Sequence, residues 1–518
     1  MACHLYNHAG AMLTALLLTT LVALCVAIYL QKNRKPTNFP PGPAWLPVVG
    51  SAPYLKKLCR EKGYMHSAVQ YMTELYQSPV IGLKLGNERT IVVTTHEVVQ
   101  QVHTREEYEG RPYNFFIKLR SMGARRGITF TEGEVWHEQR SFAVRHLKQV
   151  GYGKQLMEDM ILKEVLDLLD TLGRQGSGGR REVTVGRYVT PCVLNVLWVL
   201  VTGGRFSSWD DPRLQHLMQL MSQRAKAFDM SGGTLNQFPW LRFFAPEWSG
   251  YNLILRINAQ LKDIIMGSIN EHFKRYDPNV TNDLVDAYLH EMEARKHLRT
   301  SNFTHDQLMQ ICMDFFIAGA IPIGATLDFL VLMMLLHPDV QRKAQKEIDA
   351  VVGCDRLPQL ADRNKLPYVE AVLMEVQRMY VVTPVTGPRR VTKDTMLHGY
   401  NIPKDTTVLI SLWSVHRDQK HWGDPDVFRP ERFIDKNGEL IKDDWLLNFG
   451  VGKRRCLGEA LGRGCVFLFS AGILQRYEIL RVPGKELPSA LPIPGITMSP
   501  PSYDVLLRPR FLGQPMKS

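Results

Sequence analysis

The sequence predicts a mainly α-helical protein with a small β part and a single N-terminal transmembrane helix. Three observations carry that reading. Apolar residues recur at helical spacing over long stretches from Gly153 to Tyr380. Apolar and polar residues alternate from Val80 to Thr94 around Gly86-Asn87, the pattern of a hairpin. The run Ala11 to Leu30 contains no charged residue.

In chain order, that uncharged run comes first. Twenty residues form a helix about 30 Å long, enough to cross a hydrocarbon core. Lys32, Arg34 and Lys35 follow it immediately, whereas a cleaved signal peptide would carry its charges before a shorter apolar run. Basic residues stay on the cytosolic side, so residues 1–10 are expected in the lumen, 11–30 in the membrane and the body in the cytosol. Residues 31–50 read as a basic stop-transfer segment and a hinge stiffened by Phe39-Pro40-Pro41-Gly42-Pro43. Residues 51–518 read as one continuous body without a low-complexity linker; Gly173 to Gly179, Gly203-Gly204 and Gly232-Gly233 are helix connections. The longest helix is expected from Thr304 to His337, opened by a capping box of Thr304 and Gln307 and stopped before Pro338.

With 518 residues, 45% of them hydrophobic, the chain can bury a large core. Its eight cysteines show no paired framework, which suits a reducing compartment. The net charge of +12 favours acidic partners or membrane surfaces. No nucleic-acid-binding module accompanies that charge, so nucleic acid is not an expected partner.

The run Phe449-Gly450-Val451-Gly452-Lys453-Arg454-Arg455-Cys456-Leu457-Gly458 carries the chemistry. A lone cysteine framed by glycines and basic residues suits a thiolate iron ligand on a tight loop: Gly452 and Gly458 would relieve backbone crowding, and positive charge and N–H groups would lower the thiol pKa. A buried structural cysteine or half of a zinc pair is the alternative. Zinc is disfavoured because Cys465 lies nine residues on, outside the usual spacing.

This run resembles the haem signature of the cytochromes P450, Phe-x-x-Gly-x-Arg-x-Cys-x-Gly, at every specified position. Leu366-Pro367-Tyr368 with Glu375 and Arg378, the segment Phe428 to Phe433, and Trp136-His137-Glu138-Gln139-Arg140 resemble further signatures of that family. The resemblance implies the cytochrome P450 fold, a long central helix over a buried haem b (iron protoporphyrin IX), with Cys456 as the axial thiolate and metal ligand. It assigns Trp136, Arg140 and Arg454 to the haem propionates, counts Arg390 among the cofactor-binding residues, and places Phe449, Gly452 and Gly458 in the haem-binding loop. Glu375, Arg378 and Arg432 would interlock to support that loop, through the planar fork of arginine. The implied reaction inserts one oxygen atom from O2 into a lipophilic small molecule, with electrons from NADPH. NADPH-cytochrome P450 reductase would deliver them, with cytochrome b5 as a second electron donor, at a basic face of Arg140, Arg145, Lys148, Lys453, Arg455 and Arg463. The implied location is the endoplasmic reticulum membrane. Arg111 to Thr131, with Phe115, Phe116 and Met122, matches the loop that roofs the pocket in the family, and Phe228 to Phe244 the region near the access channel. Pro41 to Trp45, Arg145 to Lys148 and Pro239 to Tyr251 resemble insect members of the clan that includes the vertebrate drug-metabolising P450s, which points to terpenoids, steroids or xenobiotics.

The central helix departs from the family pattern Ala/Gly-Gly-x-Asp/Glu-Thr-Thr/Ser. Here it reads Ala318-Gly319-Ala320-Ile321-Pro322-Ile323, without acid or alcohol. Ile321 and Pro322 have no proton to give, and Pro322 leaves the Ala318 carbonyl without its helical donor. Three readings follow: hydroxylation or epoxidation with protons from water or substrate; isomerisation or dehydration of an already oxygenated substrate; and haem or ligand binding without turnover. Thr326, one turn on, is the nearest substitute hydroxyl, unless it bonds its own helix.

Overall fold

The computed structural model describes residues 16–24, 27, 34–149, 151, 153–227, 235, 238–298 and 300–511. The principal helices are α1 (Ala52–Lys62), α2 (Met65–Tyr76), α3 (His96–Thr104), α4 (Phe115–Arg120), α5 (Gly133–Gln149), α6 (Gln155–Gln175), α7 (Gly186–Thr202), α8 (Pro212–Ala227), α9 (Tyr251–Lys274), α10 (Leu284–Ala294), α11 (His305–Leu336), α12 (Pro338–Val351), α13 (Pro367–Met379) and α14 (Glu459–Arg476). The strands are β1 (Val80–Leu85), β2 (Glu88–Val93), β3 (Glu182–Val183), β4 (Val385–Arg390), β5 (Thr395–Leu397), β6 (Tyr400–Ile402), β7 (Thr407–Ser411), β8 (Tyr477–Leu480) and β9 (Val505–Pro509).

The β part is small. The main sheet runs β1-β2-β7-β4, with β1 and β2 an antiparallel hairpin turning at Gly86-Asn87 and β2 parallel to β7. The pairing of β4 with β7 shifts register between Thr386 and Arg389. A three-stranded sheet, β3-β9-β8, and the hairpin β5-β6 complete it. The proline-rich segment is packed onto β1 instead of standing off from the body: Phe39 is buried, and Gly82 donates its N–H to the Pro41 carbonyl at 2.7 Å. Of the expected anchor, residues 16–24 are helical and Leu16, Leu17, Leu18 and Leu21 are exposed; the rest of 11–30, apart from residue 27, lies outside the described residues.

Helix α11 is the axis of the fold. Its length and apolarity would allow it to cross a membrane, yet more than half of its most apolar window is buried inside the protein. Thr304 caps it by accepting the Gln307 N–H at 3.2 Å. The expected capping box is not reciprocal, because the Gln307 side chain pairs instead with the backbone of Gly127. The helix continues unbroken through Pro322.

Close approach between α11 and α7 rests on glycine. A Cβ at Gly319 would strike Leu197, and one at Gly324 would collide with the Thr190 hydroxyl. Gly324→Ala should therefore destabilise the protein by about 1–3 kcal/mol, the usual range for overpacking, read as a lower urea midpoint. Thr190→Ala in the same chain should restore part of the loss.

Candidate functional site

The loop bearing Cys456 is closed on itself, since the Cys456 N–H donates to the Phe449 carbonyl at 2.8 Å. Gly450 and Gly452 have φ of +64° and +75°, a region L side chains rarely adopt. At Gly452 a Cβ would also run into the carbonyl oxygen of His103 at the end of α3. This close approach is to α3, so Gly452 also seats the loop on the body of the protein. The Phe449 ring lies against Gly462 and under the Arg463 guanidinium, 4.8 Å from its centroid. Gly458 caps α14, and its N–H bonds to the Cys456 sulfur.

That sulfur does not have the lowered pKa expected from its basic neighbours. Although the residue keeps exposed surface, desolvation around the sulfur raises the thiol pKa and outweighs the Gly458 N–H and the Arg140 charge, which lower it, while Glu459 adds to the rise. In this loop a coordinated cation would favour the thiolate more effectively than the surrounding protein does.

A buried ionic network supports the loop. Glu375 and Arg378 are fully buried and joined bidentately at 2.7 and 2.9 Å. Arg432 reaches the same carboxylate at 3.1 Å, and the Arg429 N–H donates to it at 2.8 Å. Arg378 also donates to the His416 carbonyl at 3.0 Å. His416 is buried, and burial together with Arg378 and Arg417 pushes its pKa down to about 3. Its neutral ring accepts the Leu447 N–H at 3.0 Å, two residues before Phe449. Asn448 adds a bond to the Gln377 carbonyl at 2.8 Å. His416 thus links the ionic network to the cysteine loop, a role no sequence motif announced.

Beside the loop, one buried and several half-buried arginines gather, with Glu132 and Glu109 as their acidic neighbours. The Arg454 guanidinium lies 3.7 Å from the Trp136 ring centroid and donates to the Thr131 carbonyl at 3.0 Å. Arg140 donates to the Arg455 carbonyl at 2.7 Å. Arg390, expected in this set, ion-pairs with Glu132 at 2.7 Å and Asp405 at 2.6 Å. Its neighbour Arg389 is the buried one, because successive residues on β4 face opposite sides. Burial and the charges of Arg111 and Arg454 push the Arg389 pKa down to about 8. Burial with neighbouring arginines likewise lowers Arg454 to about 9 and Arg111 to about 10. Arg389 Nη1, Arg454 Nε and Arg111 Nε are buried without a hydrogen-bond partner.

Such a donor set calls for anions. A haem, with two carboxylates and an iron that takes a thiolate, fits these residues. Sequence reasoning missed Arg389 and noted Arg111 only as the start of a loop. The pair Arg389-Arg390 on a strand implied that one of the two faces inward, but register decided which.

Ile321 and Ala325 of α11 line a cavity of about 960 Å³ together with Met218, Met221, Phe238 and Trp248. Residues Ile493 to Ser499 form another wall. Ala318 is exposed, and Gly319 faces Leu197. The Thr326 hydroxyl donates to the Pro322 carbonyl at 2.9 Å, so it serves its own helix. Phe116 is buried in a separate apolar cluster with Ile117, Leu119 and Phe130, not on this cavity, and Phe115 packs against that cluster. Of the segment Phe228 to Phe244, residues 235 and 238–244 are described.

A second hollow is lined by Trp136, His137, Arg140, Arg145, Lys148 and Lys453. It is basic, although Lys453 also pairs with Glu106 and Glu109 and Arg463 with Glu459.

The cytochrome P450 family model matches residues 40–507. Among similar proteins, "Probable cytochrome P450 305a1" of Drosophila melanogaster is 42% identical, covering 95% of this chain and 99% of its own. "Farnesoate epoxidase" of Bombyx mori is 36% identical over 95% of this chain and 98% of its own. "Cytochrome P450 2J2" of Homo sapiens is 33% identical, with 96% of each chain covered.

Two outcomes are expected. Arg389→Leu should lower haem retained per protein, measured by haem absorbance after gel filtration, several-fold more than Arg390→Leu. Glu375→Gln should destabilise the protein by about 3–5 kcal/mol in denaturant titration, the usual effect of removing one partner from a buried ion pair.

Proposed function

The chain belongs to the cytochrome P450 family of monooxygenase oxidoreductases, and on that premise we propose that it is a membrane-anchored haem-thiolate enzyme that hydroxylates or epoxidises a lipophilic small molecule. The convergence of Cys456 with the under-neutralised guanidiniums of Arg111, Arg389 and Arg454 carries the reading. Haem bound there supplies an oxygen-activating iron, toward which a cysteine thiolate pushes electron density.

The protein's own residues set the rest. Cys456 is presented by a loop that His416, Asn448 and the Glu375 network hold still. The arginines beside Trp136 orient the carboxylates. Ile321 and Pro322 hold no transferable proton, and the Thr326 hydroxyl is engaged by the Pro322 carbonyl. Because Pro322 has no N–H, the Ala318 carbonyl lacks its usual helical donor. That carbonyl is an acceptor for an ordered water or a substrate hydroxyl, which would then supply the protons.

The cavity against Ile321 and Ala325 suits an apolar substrate. A relative named for farnesoate epoxidation supports a terpenoid as the first molecule to test. Trp240, Phe243, Phe244 and Trp248 are exposed, and Trp248 reaches the cavity lining. This apolar surface and the exposed leucines of residues 16–24 support attachment to the endoplasmic reticulum membrane and entry of substrate from lipid. The basic hollow around Arg140 and Lys148 suits an acidic electron donor, NADPH-cytochrome P450 reductase, with cytochrome b5 as a second.

The missing acid and alcohol favour one alternative, isomerisation or dehydration of an oxygenated substrate. With a terpenoid ester panel and reductase, the monooxygenase reading expects product only when NADPH and O2 are both present; turnover without either establishes the alternative. The reduced carbon monoxide complex should show the thiolate-type Soret band, and Cys456→Ser should lose it. Restoring donors with Ile321→Glu and Pro322→Thr together should raise product formed per NADPH consumed. An unchanged ratio would place proton delivery elsewhere.

A further inference from the structure

The cavity against Ile321 and Ala325 is lined mostly by apolar side chains, and its few polar ones differ in exposure. Lys56 and Ser222 are exposed, and the Tyr64 hydroxyl donates to the Pro492 carbonyl at 2.8 Å. His66, in the first turn of α2, is 4% exposed. Among the described residues of the lining it is the one side chain that is both polar and buried.

Packing fixes its ring. The imidazole stacks on Tyr64, with 5.2 Å between centroids and 17° between planes, and tilts against Trp413 at 4.2 Å. The Trp413 N–H donates to the Pro384 carbonyl at 3.1 Å, and Pro384 belongs to the cavity lining, so the imidazole is held beside that wall. The Arg417 guanidinium lies 4.4 Å from the Trp413 centroid. Burial and the charge of Arg417 push the His66 pKa down to about 4, which leaves the imidazole neutral at neutral pH.

A neutral imidazole has one N–H to give and one nitrogen lone pair to share. Neither nitrogen of His66 has a hydrogen-bond partner among the described residues. Buried polar side chains in folded proteins are nearly always paired, because a buried donor without an acceptor has lost water and gained nothing in return. A histidine satisfied by the core would show its partner in the protein. This one is fixed by aromatic rings and borders a cavity instead.

We propose that His66 is a specificity-determining residue of that cavity: its N–H binds a neutral oxygen of the substrate, such as the carbonyl of an ester or ketone, while the hydrocarbon part lies along Met221, Ile321 and Ala325. This rests on the reading of the cavity as the substrate site. An uncharged imidazole recognises the oxygen by a hydrogen bond and not by an ion pair. It selects against a hydrocarbon of the same shape, which would leave the buried donor unpaired.

The test uses the full-length, haem-loaded protein in detergent, without NADPH, and two probes: methyl farnesoate, isotopically labelled at its carbonyl carbon, and the hydrocarbon in which a methyl group replaces the ester group. His66→Phe keeps a ring against Tyr64 and Trp413 and removes the N–H; His66→Leu removes it with a smaller side chain. Equilibrium dialysis should show the ester bound about two- to tenfold more weakly by the variants than by the wild type, the usual worth of one hydrogen bond, with binding of the hydrocarbon unchanged. In difference infrared spectra the labelled carbonyl should absorb at lower frequency in the wild type than in either variant, as a hydrogen bond to its oxygen requires. Ester and hydrocarbon weakened equally in both variants, a wild-type carbonyl band at the variants' position, or no binding of the ester overturns the role of His66. Nothing turns over in these measurements, so their failure leaves oxygen insertion untouched, and turnover without NADPH or O2 leaves them unchanged.

Discussion

The buried carboxylate of Glu375 is the constraint on which the site depends. It is shared by Arg378, Arg432 and the Arg429 N–H, with no exposed surface on Glu375 or Arg378. A charge buried this deeply is tolerable only when every donor and acceptor is met, and these residues meet the requirement by joining separate parts of the chain. Through Arg378 to the His416 carbonyl, and from the His416 ring to the Leu447 N–H, the network reaches the loop that presents Cys456. A displacement at Glu375 would therefore move a sulfur eighty-one residues further along the chain.

The opposite electrostatic situation holds beside that loop. Burial and neighbouring arginines lower the basicity of Arg111, Arg389 and Arg454, and each leaves a buried nitrogen unpartnered. Such a cluster destabilises the protein by itself and is relieved by a bound dianion. Haem binding and folding are thus thermodynamically linked, because a ligand that binds only the folded chain stabilises it. The network around Glu375 is complete within the protein, whereas the arginine cluster would be completed by a bound dianion such as the haem that the family implies.

Helix α11 reconciles packing with chemistry. Gly319 and Gly324 let α7 approach closely, while Ile321 and Ala325 face the cavity. Pro322 interrupts the ladder at one point, and Thr326 turns its hydroxyl back to the Pro322 carbonyl. The helix remains continuous because the surrounding core holds it, although its centre has lost one backbone donor.

Local signals in the sequence determined the cysteine loop, the Glu375 and Arg378 pair, the hairpin at Gly86-Asn87, the cap at Thr304 and the absence of acid and alcohol at Ile321-Pro322. Each depends on residue type and short spacing, which the chain carries wherever it folds. Tertiary structure decided which of Arg389 and Arg390 faces inward, because strand register sets the side. It put Gly452 against His103, made His416 the link to the cysteine loop and packed His66 against Trp413, since these contacts join residues far apart in the chain. Nearby positive charge is visible in a sequence, but the net rise in the Cys456 thiol pKa, in which desolvation and Glu459 outweigh the Gly458 N–H and Arg140, depends on groups that only the fold brings near the sulfur.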